Sequence, residues 1–166
     1  MSSNYKPDLD LEKLKSAVNL GSVGNRYPNK KFAIICSEWN TEIINRLLDG
    51  AYRLFEGIGI KSDDIFELKV PGSYELIYGC SKIQSLEKYD AILAIGSIIK
   101  GETSHYKYIA QSVFDGIKDL NNNGKSPIIL CLLTDDNYQQ ALDRSGGKYG
   151  NKGYDCAAAA VKMSII

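Results

Sequence analysis

Four strand-like runs, Phe32–Cys36, Ile65–Val70, Ala91–Ile95 and Pro127–Leu133, alternate with segments of helical period at intervals of about thirty residues. Continuous apolar runs such as Phe32–Cys36 suit strands of a parallel sheet, which are covered on both faces. Between the first two runs, Ile43, Ile44, Leu47, Leu48, Ala51, Leu54, Phe55 and Ile58 recur at helical spacing. Asn40 or Thr41 can cap this helix, and Gly57 and Gly59 stop it. After Pro71-Gly72, Ser73 can cap a second helix through Leu76, Cys80 and Ile83. The run at Ala91 continues through Ser97-Ile98-Ile99 and ends at Gly101. Thr103 or Ser104 then opens a third helix with Tyr108, Ile109, Val113, Ile117 and Leu120 on its buried face, broken at Asn121-Asn122-Asn123-Gly124. Two helices close the chain, at Asn137 to Arg144 and from about Gly153 to Met163.

Strand and helix in regular alternation demand crossover connections, which are right-handed and set helices on both faces of one sheet. The expected fold is a flavodoxin-like three-layer α/β sandwich with a four-stranded parallel sheet. Residues 1–30 read as an N-terminal arm and 31–166 as the α/β domain. The arm ends at Arg26-Tyr27-Pro28-Asn29, which cannot continue a helix, although Leu11, Leu14 and Val18 allow a weak one before it. In open sheets of this kind ligands bind beyond the carboxyl ends of the strands. That rule selects four junctions: Ser37 to Asn40, Val70 to Glu75, Ser97 to His105, and Leu133 onward.

Composition narrows the chemistry. A chain of 166 residues with 44% hydrophobic and 24% charged residues can build one core and is not a disordered polymer. Twenty basic residues balance twenty acidic ones, so no basic excess draws nucleic acid. No apolar stretch reaches the roughly 18 residues of a membrane span, and the N-terminus lacks a basic, then apolar, signal pattern. The expectation is a cytoplasmic protein with no membrane partner. Cys36, Cys80, Cys131 and Cys156 form no Cys-x-x-Cys pair and read as reduced core residues. One histidine and no thiol cluster leave too few ligands for a structural zinc or a multi-histidine metal site. No Gly-x-Ser-x-Gly elbow is present either.

The junction residues each carry a chemical reading and a plainer one. Gly96 to Thr103 has the glycine spacing of a phosphate-binding loop, but Glu102 stands where a lysine must reach the phosphates; Gly124-Lys125-Ser126 fails because Asp119 replaces the first glycine. Gly101, Glu102 and Thr103 nevertheless open a helix whose N–H groups and dipole suit a single phosphate, or else form an ordinary capped turn. His105, in that first turn, is either a proton carrier or a surface histidine. Arg144 can pair a phosphate bidentately or, beside Asp143, belong to a solvated helix face. Trp39, the single tryptophan, can stack on a heteroaromatic ring or fill the core. Val70-Pro71-Gly72-Ser73-Tyr74-Glu75 offers a rigid turn and polar groups to a planar ligand, or needs its proline and glycine for geometry alone.

Taken collinearly, these segments resemble the lumazine synthase family. The matching pieces are Trp39-Asn40 with Leu47 to Ala51, Val70 to Leu76, Tyr89-Asp90-Ala91, Ile99 to Tyr106, Leu132-Leu133-Thr134, Gln140-Ala141, Arg144, and Gly150-Asn151-Lys152-Gly153 with Ala157 to Met163. The resemblance implies condensation of 5-amino-6-(D-ribitylamino)uracil with 3,4-dihydroxy-2-butanone 4-phosphate to 6,7-dimethyl-8-ribityllumazine, a step of riboflavin biosynthesis that releases phosphate and water and needs no cofactor. It implies that Trp39 stacks on the pyrimidine, that Ser73, Tyr74 and Glu75 hold the ribityl chain, and that Ser97, Ile98 and Ile99 line the pyrimidine slot. Gly101, Glu102 and Thr103 match the phosphate turn, Arg144 the arginine that reaches this phosphate from an adjoining subunit, and His105 the proton-transfer residue. It further implies a homopentamer, which some members pack into a 60-subunit shell.

Three departures stand out. Lys107 occupies a position where many members carry an acid, Leu130 replaces a common pocket phenylalanine, and Trp39 replaces another. A competing reading is a binding module that keeps the pocket only to hold riboflavin or a lumazine. A pure flavin binder, however, needs neither Arg144 nor His105. A phosphorylation-controlled receiver of similar topology needs acids after strands one and three, and Glu38 alone does not satisfy it.

Overall fold

The structure, a computed structural model, describes residues 30–166. The expected arm, including the helix through Leu11, Leu14 and Val18, falls almost wholly outside the described residues. Strand β1 (Phe32–Ser37) leads into helix α1 (Thr41–Gly57), β2 (Ile65–Val70) into α2 (Leu76–Gln84), β3 (Ala91–Ile99) into α3 (His105–Asn123), and β4 (Ile128–Asp135) into α4 (Tyr138–Arg144). A short antiparallel hairpin of β5 (Ser145–Gly147) and β6 (Gly150–Asn151) then turns the chain into α5 (Lys152–Met163).

The four long strands form one parallel sheet in the order β2-β1-β3-β4. Phe32 pairs with Ile65 on one side and with Ala91 on the other, and Ile99 pairs with Asp135 at the far end of β3. Side chains alternate across a strand, so each run feeds two cores. Phe32, Ile34 and Cys36 join Leu93 and Ile95 under α1 and α5, whereas Ala33 and Ile35 join Ile92 and Ala94 under α2 and α3. Ile34, Ile35 and Ile95 have no solvent exposure; burying a side chain of this size stabilises by about 1.5–3 kcal/mol. The fold is therefore the three-layer α/β sandwich that the periodicity implies.

Winding direction places the ligand edge. The chain moves from β1 outward to β2, then passes back across β1 to β3 and on to β4. Right-handed crossovers in opposite directions put their helices on opposite faces, so the loops after β1 and β3 diverge and leave a crevice. Trp39 and Asn40 follow β1, and Lys100 to Ser104 follow β3.

Local chemistry differs from expectation at several ends. Neither Asn40 nor Thr41 caps α1: Asn40 adopts a left-handed conformation with φ 59° and makes no side-chain cap bond, while Thr41 Oγ1 donates to Glu38 O. Ser73 is buried and its carbonyl accepts from Leu76 N, so α2 starts at Leu76 without a serine cap. Helix α3 begins at His105, not at Thr103 or Ser104, and absorbs Asn121 to Asn123 before Gly124. The Asn121 side chain makes this extension tolerable, since Nδ2 donates to Ile128 O and Oδ1 accepts from Ile128 N. Tyr108 is not on the buried face; it is 72% exposed, because Val113 and Ile117 define the contact stripe and Tyr108 falls outside it. Cys156 is only partly buried, unlike the other three cysteines. The β5–β6 hairpin has no counterpart in the sequence reading, since strands of two and three residues carry no periodic signal.

Candidate active site

A cleft of about 490 Å³ opens at the switch point between β1 and β3. Trp39 comes from the loop after β1, Ser73, Tyr74 and Glu75 from the turn into α2, and Ser97, Ile98 and Ile99 from the end of β3; Gly101, Thr103 and His105 complete the lining. Ten of the expected substrate-site residues thus meet in one place. Glu102 sits on the same turn but outside the cleft lining.

Each wall follows from local physics. Trp39 is 73% exposed, so the indole presents a face to the cleft and is not a core residue. Asn40 tolerates the left-handed region better than most residues. Its Nδ2 donates to Ser97 O at 3.0 Å, tying the loop after β1 to the end of β3 and fixing the crevice width. Gly96 lets the floor close: a Cβ there would sit 2.8 Å from Ser73 Oγ and 2.7 Å from Leu132 Cδ1. Ser97 lines the cleft yet is 3% exposed, and its buried Oγ has no hydrogen-bond partner.

At the helix end, Thr103 Oγ1 accepts from His105 N at 3.4 Å, and Ser104 makes no side-chain cap bond. The positive end of the 19-residue α3 therefore points toward the cleft beside the imidazole. Lys107 Nζ lies 6.0 Å from the Tyr106 ring centroid, so its ammonium leans on that aromatic ring.

Leu130 and Arg144 are elsewhere. They line a second cleft of about 240 Å³ together with Asp135, Lys152, Cys131 and Cys156, and the two clefts share no lining residue. Arg144 Nη1 donates to Gln140 O at 3.0 Å and lies 3.5 Å from Asp135 Oδ1; its guanidinium also packs 5.2 Å from the Tyr149 ring centroid. Asp135 is 5% exposed, and burial pushes its carboxyl up from the ordinary value while Arg144 draws it partly back. The Cys131 thiol hydrogen-bonds to Cys156, which draws the Cys156 thiol down and pushes that of Cys131 up.

Sequence reasoning placed Asn40 and Gly72 at the ligand edge but assigned no site role to them, to Tyr106 or Ile109 in the first cleft, or to Asp135 and Lys152 in the second. Tyr106 and Lys152 stand inside the collinear segments and carried a signal. Asp135 carried none beyond being an acid at a strand end.

Fold and cleft together define an α/β enzyme with a ligand crevice at the switch point of a parallel sheet, walled by an indole, backbone edges and a helix N-terminus bearing a histidine. A model of the 6,7-dimethyl-8-ribityllumazine synthase family matches residues 29–166. The 6,7-dimethyl-8-ribityllumazine synthase of Christiangramia forsetii is 49% identical over 146 residues, covering 86% of this chain and 87% of its own. The proteins of that name from Flavobacterium johnsoniae and Bacteroides fragilis are 45% and 44% identical over 145 and 133 residues, covering 86% and 80% of this chain and 76% and 93% of theirs. The chain belongs to the 6,7-dimethyl-8-ribityllumazine synthase family. The activity that goes with this membership is enzymatic, the lumazine-forming condensation of riboflavin biosynthesis. Its substrates are small molecules, and no helix among the described residues is long and apolar enough to cross a membrane.

Proposed function

We propose that this condensation runs in the cleft of one subunit closed by the Leu130–Arg144 cleft of its neighbour, in a cytoplasmic pentamer. The observation that carries the reading is the meeting of Trp39, Ser97 to Ile99 and His105 in one crevice while the candidate phosphate-neutralising Arg144 lines another. In this reading Arg144 reaches the phosphate from a second copy, because within one subunit it lines the other cleft. Large exposed aromatics on α2, α3 and the turn before α2 support a covering neighbour: Tyr74, which lines the cleft, is 51% exposed, Tyr78 68%, Tyr108 72% and Phe114 46%. Four free thiols suit a reducing compartment.

In this reading Trp39 stacks on the pyrimidine, and the edges of Ser97, Ile98 and Ile99 select its amide pattern. Ser73, Tyr74 and Glu75 hold the ribityl hydroxyls. Gly101, Glu102 and Thr103, at the positive end of α3, and Arg144 of the adjoining subunit hold the phosphate. The amine attacks the ketone and a first water leaves as the imine forms, phosphate is eliminated, and ring closure with loss of a second water yields the lumazine; His105 moves protons between these steps.

Both substrates are intrinsically reactive, so most acceleration comes from holding them together, with general acid–base catalysis adding roughly 10²–10⁴-fold. His105→Ala is expected to slow turnover within that range while leaving a rate above buffer, read as lumazine absorbance on mixing both substrates. Complete loss in a folded variant that binds both would overturn the ranking. Wild-type protein that made product no faster than buffer yet bound riboflavin tightly would establish the binding-module reading instead.

A further inference from the structure

Asp135 is a charged side chain that the condensation does not use, yet it stands inside the second cleft. It ends β4, where its backbone carbonyl accepts from Lys100 N at 2.9 Å and so holds the strand end against the loop after β3. Its carboxylate is 5% exposed; Oδ1 lies 3.5 Å from Arg144 Nη1, and Oδ2 is buried with no hydrogen-bond partner. Leaving a buried carboxylate oxygen unpaired is costly. A residue serving only to anchor Arg144 would use both oxygens in a fork with the guanidinium. Instead Arg144 spends Nη1 on the Gln140 carbonyl and meets Asp135 at a distance too long for a good hydrogen bond.

We propose that Asp135 is a positioning residue that tempers the Arg144 cation, weakening its hold on phosphate so that the released phosphate can leave. The inference rests on the reading that Arg144 binds the phosphate group. The other charges at this position are accounted for: Lys152 of α5 lines the same cleft but pairs with Asp155 at 2.8 Å, and Asp136 follows Asp135 in the chain and adds to the negative potential. The pair Arg144–Asp135 is thus near neutral before substrate arrives, and a phosphate must compete with the carboxylate for the guanidinium. Burial raises the Asp135 pKa, so acidification neutralises it while Arg144 keeps its charge, and phosphate binding should tighten as pH falls.

The test is Asp135→Asn, which keeps shape and an acceptor oxygen near Arg144 but removes the charge. Inorganic phosphate is titrated as a competitor of the butanone phosphate. The expected result is that phosphate binds roughly tenfold tighter, KM for the butanone phosphate falls in parallel, and kcat falls as release slows. Asp135→Glu keeps the charge and is expected to retain phosphate affinity near the wild-type value. Unchanged or weaker phosphate binding in Asp135→Asn overturns the inference. Should that variant not fold, the wild-type enzyme alone decides: phosphate affinity that shows no tightening on acidification, after correction for phosphate's own ionisation, is the contrary result. Arg144→Gln separates the two layers. If it weakens phosphate binding while Asp135→Asn changes nothing, the phosphate reading stands and the tempering role falls; if Arg144→Gln also has no effect, the reading of Arg144 falls with it.

Discussion

Replacing Trp39 by alanine isolates ligand stacking from folding, because the indole is 73% exposed and lies on the cleft wall, not in either core. An exposed side chain with no core contact should change stability by no more than about 0.5 kcal/mol. For a chain of 166 residues that is a melting-temperature shift of about 2 °C at most. Stacking of a heteroaromatic base on an aromatic ring is worth about 1–3 kcal/mol by alanine substitution, which converts to about a 5- to 150-fold rise in Kd. Trp39→Phe keeps a smaller ring and should fall between. Since Trp39 is the single tryptophan, its emission reports the wild-type complex directly, and quenching by the lumazine product gives Kd; calorimetric titration serves the variant. A Kd that moved less than twofold, or a melting temperature that dropped by more than about 5 °C, would refute the assignment of this indole to the ligand.

Gly153→Ala should destabilise the fold without touching the first cleft, because the new Cβ would run into the Leu47 carbonyl of α1, with Leu47 C at 2.6 Å and Cα at 2.9 Å. Overpacking of this kind costs about 1–3 kcal/mol, so thermal unfolding is expected to drop by about 3–10 °C. Alkali should weaken the protein: burial pushes the Cys36 thiol up to about 11 and that of Cys80 to about 12, from 9.0. These acids have raised folded pKa values, so their contribution is complete below about pH 9 and is lost as pH rises toward 11 to 12. Urea unfolding at pH 8 and 10.5 measures it, and an unchanged midpoint would contradict the burial of these thiols. Cys156, drawn down by its hydrogen bond from Cys131 and only partly buried, should react with a small alkylating reagent before Cys36, Cys80 and Cys131, as peptide mass mapping at partial modification would record.

The helices and strands were legible because their evidence is local. Ile43 to Phe55 repeat at the helical period, and α1 does end at Gly57. Where expectation failed, a distant partner had changed the local balance: Asn121 keeps α3 going by bonding Ile128, and Asn40 gives up capping to reach Ser97. Tyr108 lies on roughly the opposite side of the helix from Val113 and Ile117, a distinction that counting apolar residues along the chain does not resolve.

What the sequence by itself determined was the inventory: which segments are strands, which are helices, and which side chains stand at the ends of strands. Period and turn chemistry depend on neighbours along the chain, so they can be read from it. Only the tertiary structure decided that β1 and β3 lie side by side with their loops diverging, that Trp39 and His105 share one cleft while Arg144 lines another, and that Asp135 is buried against Arg144 with one oxygen unpaired. Those facts depend on strand order and on contacts between residues far apart in the chain, and burial of a charge is a property of what packs around it.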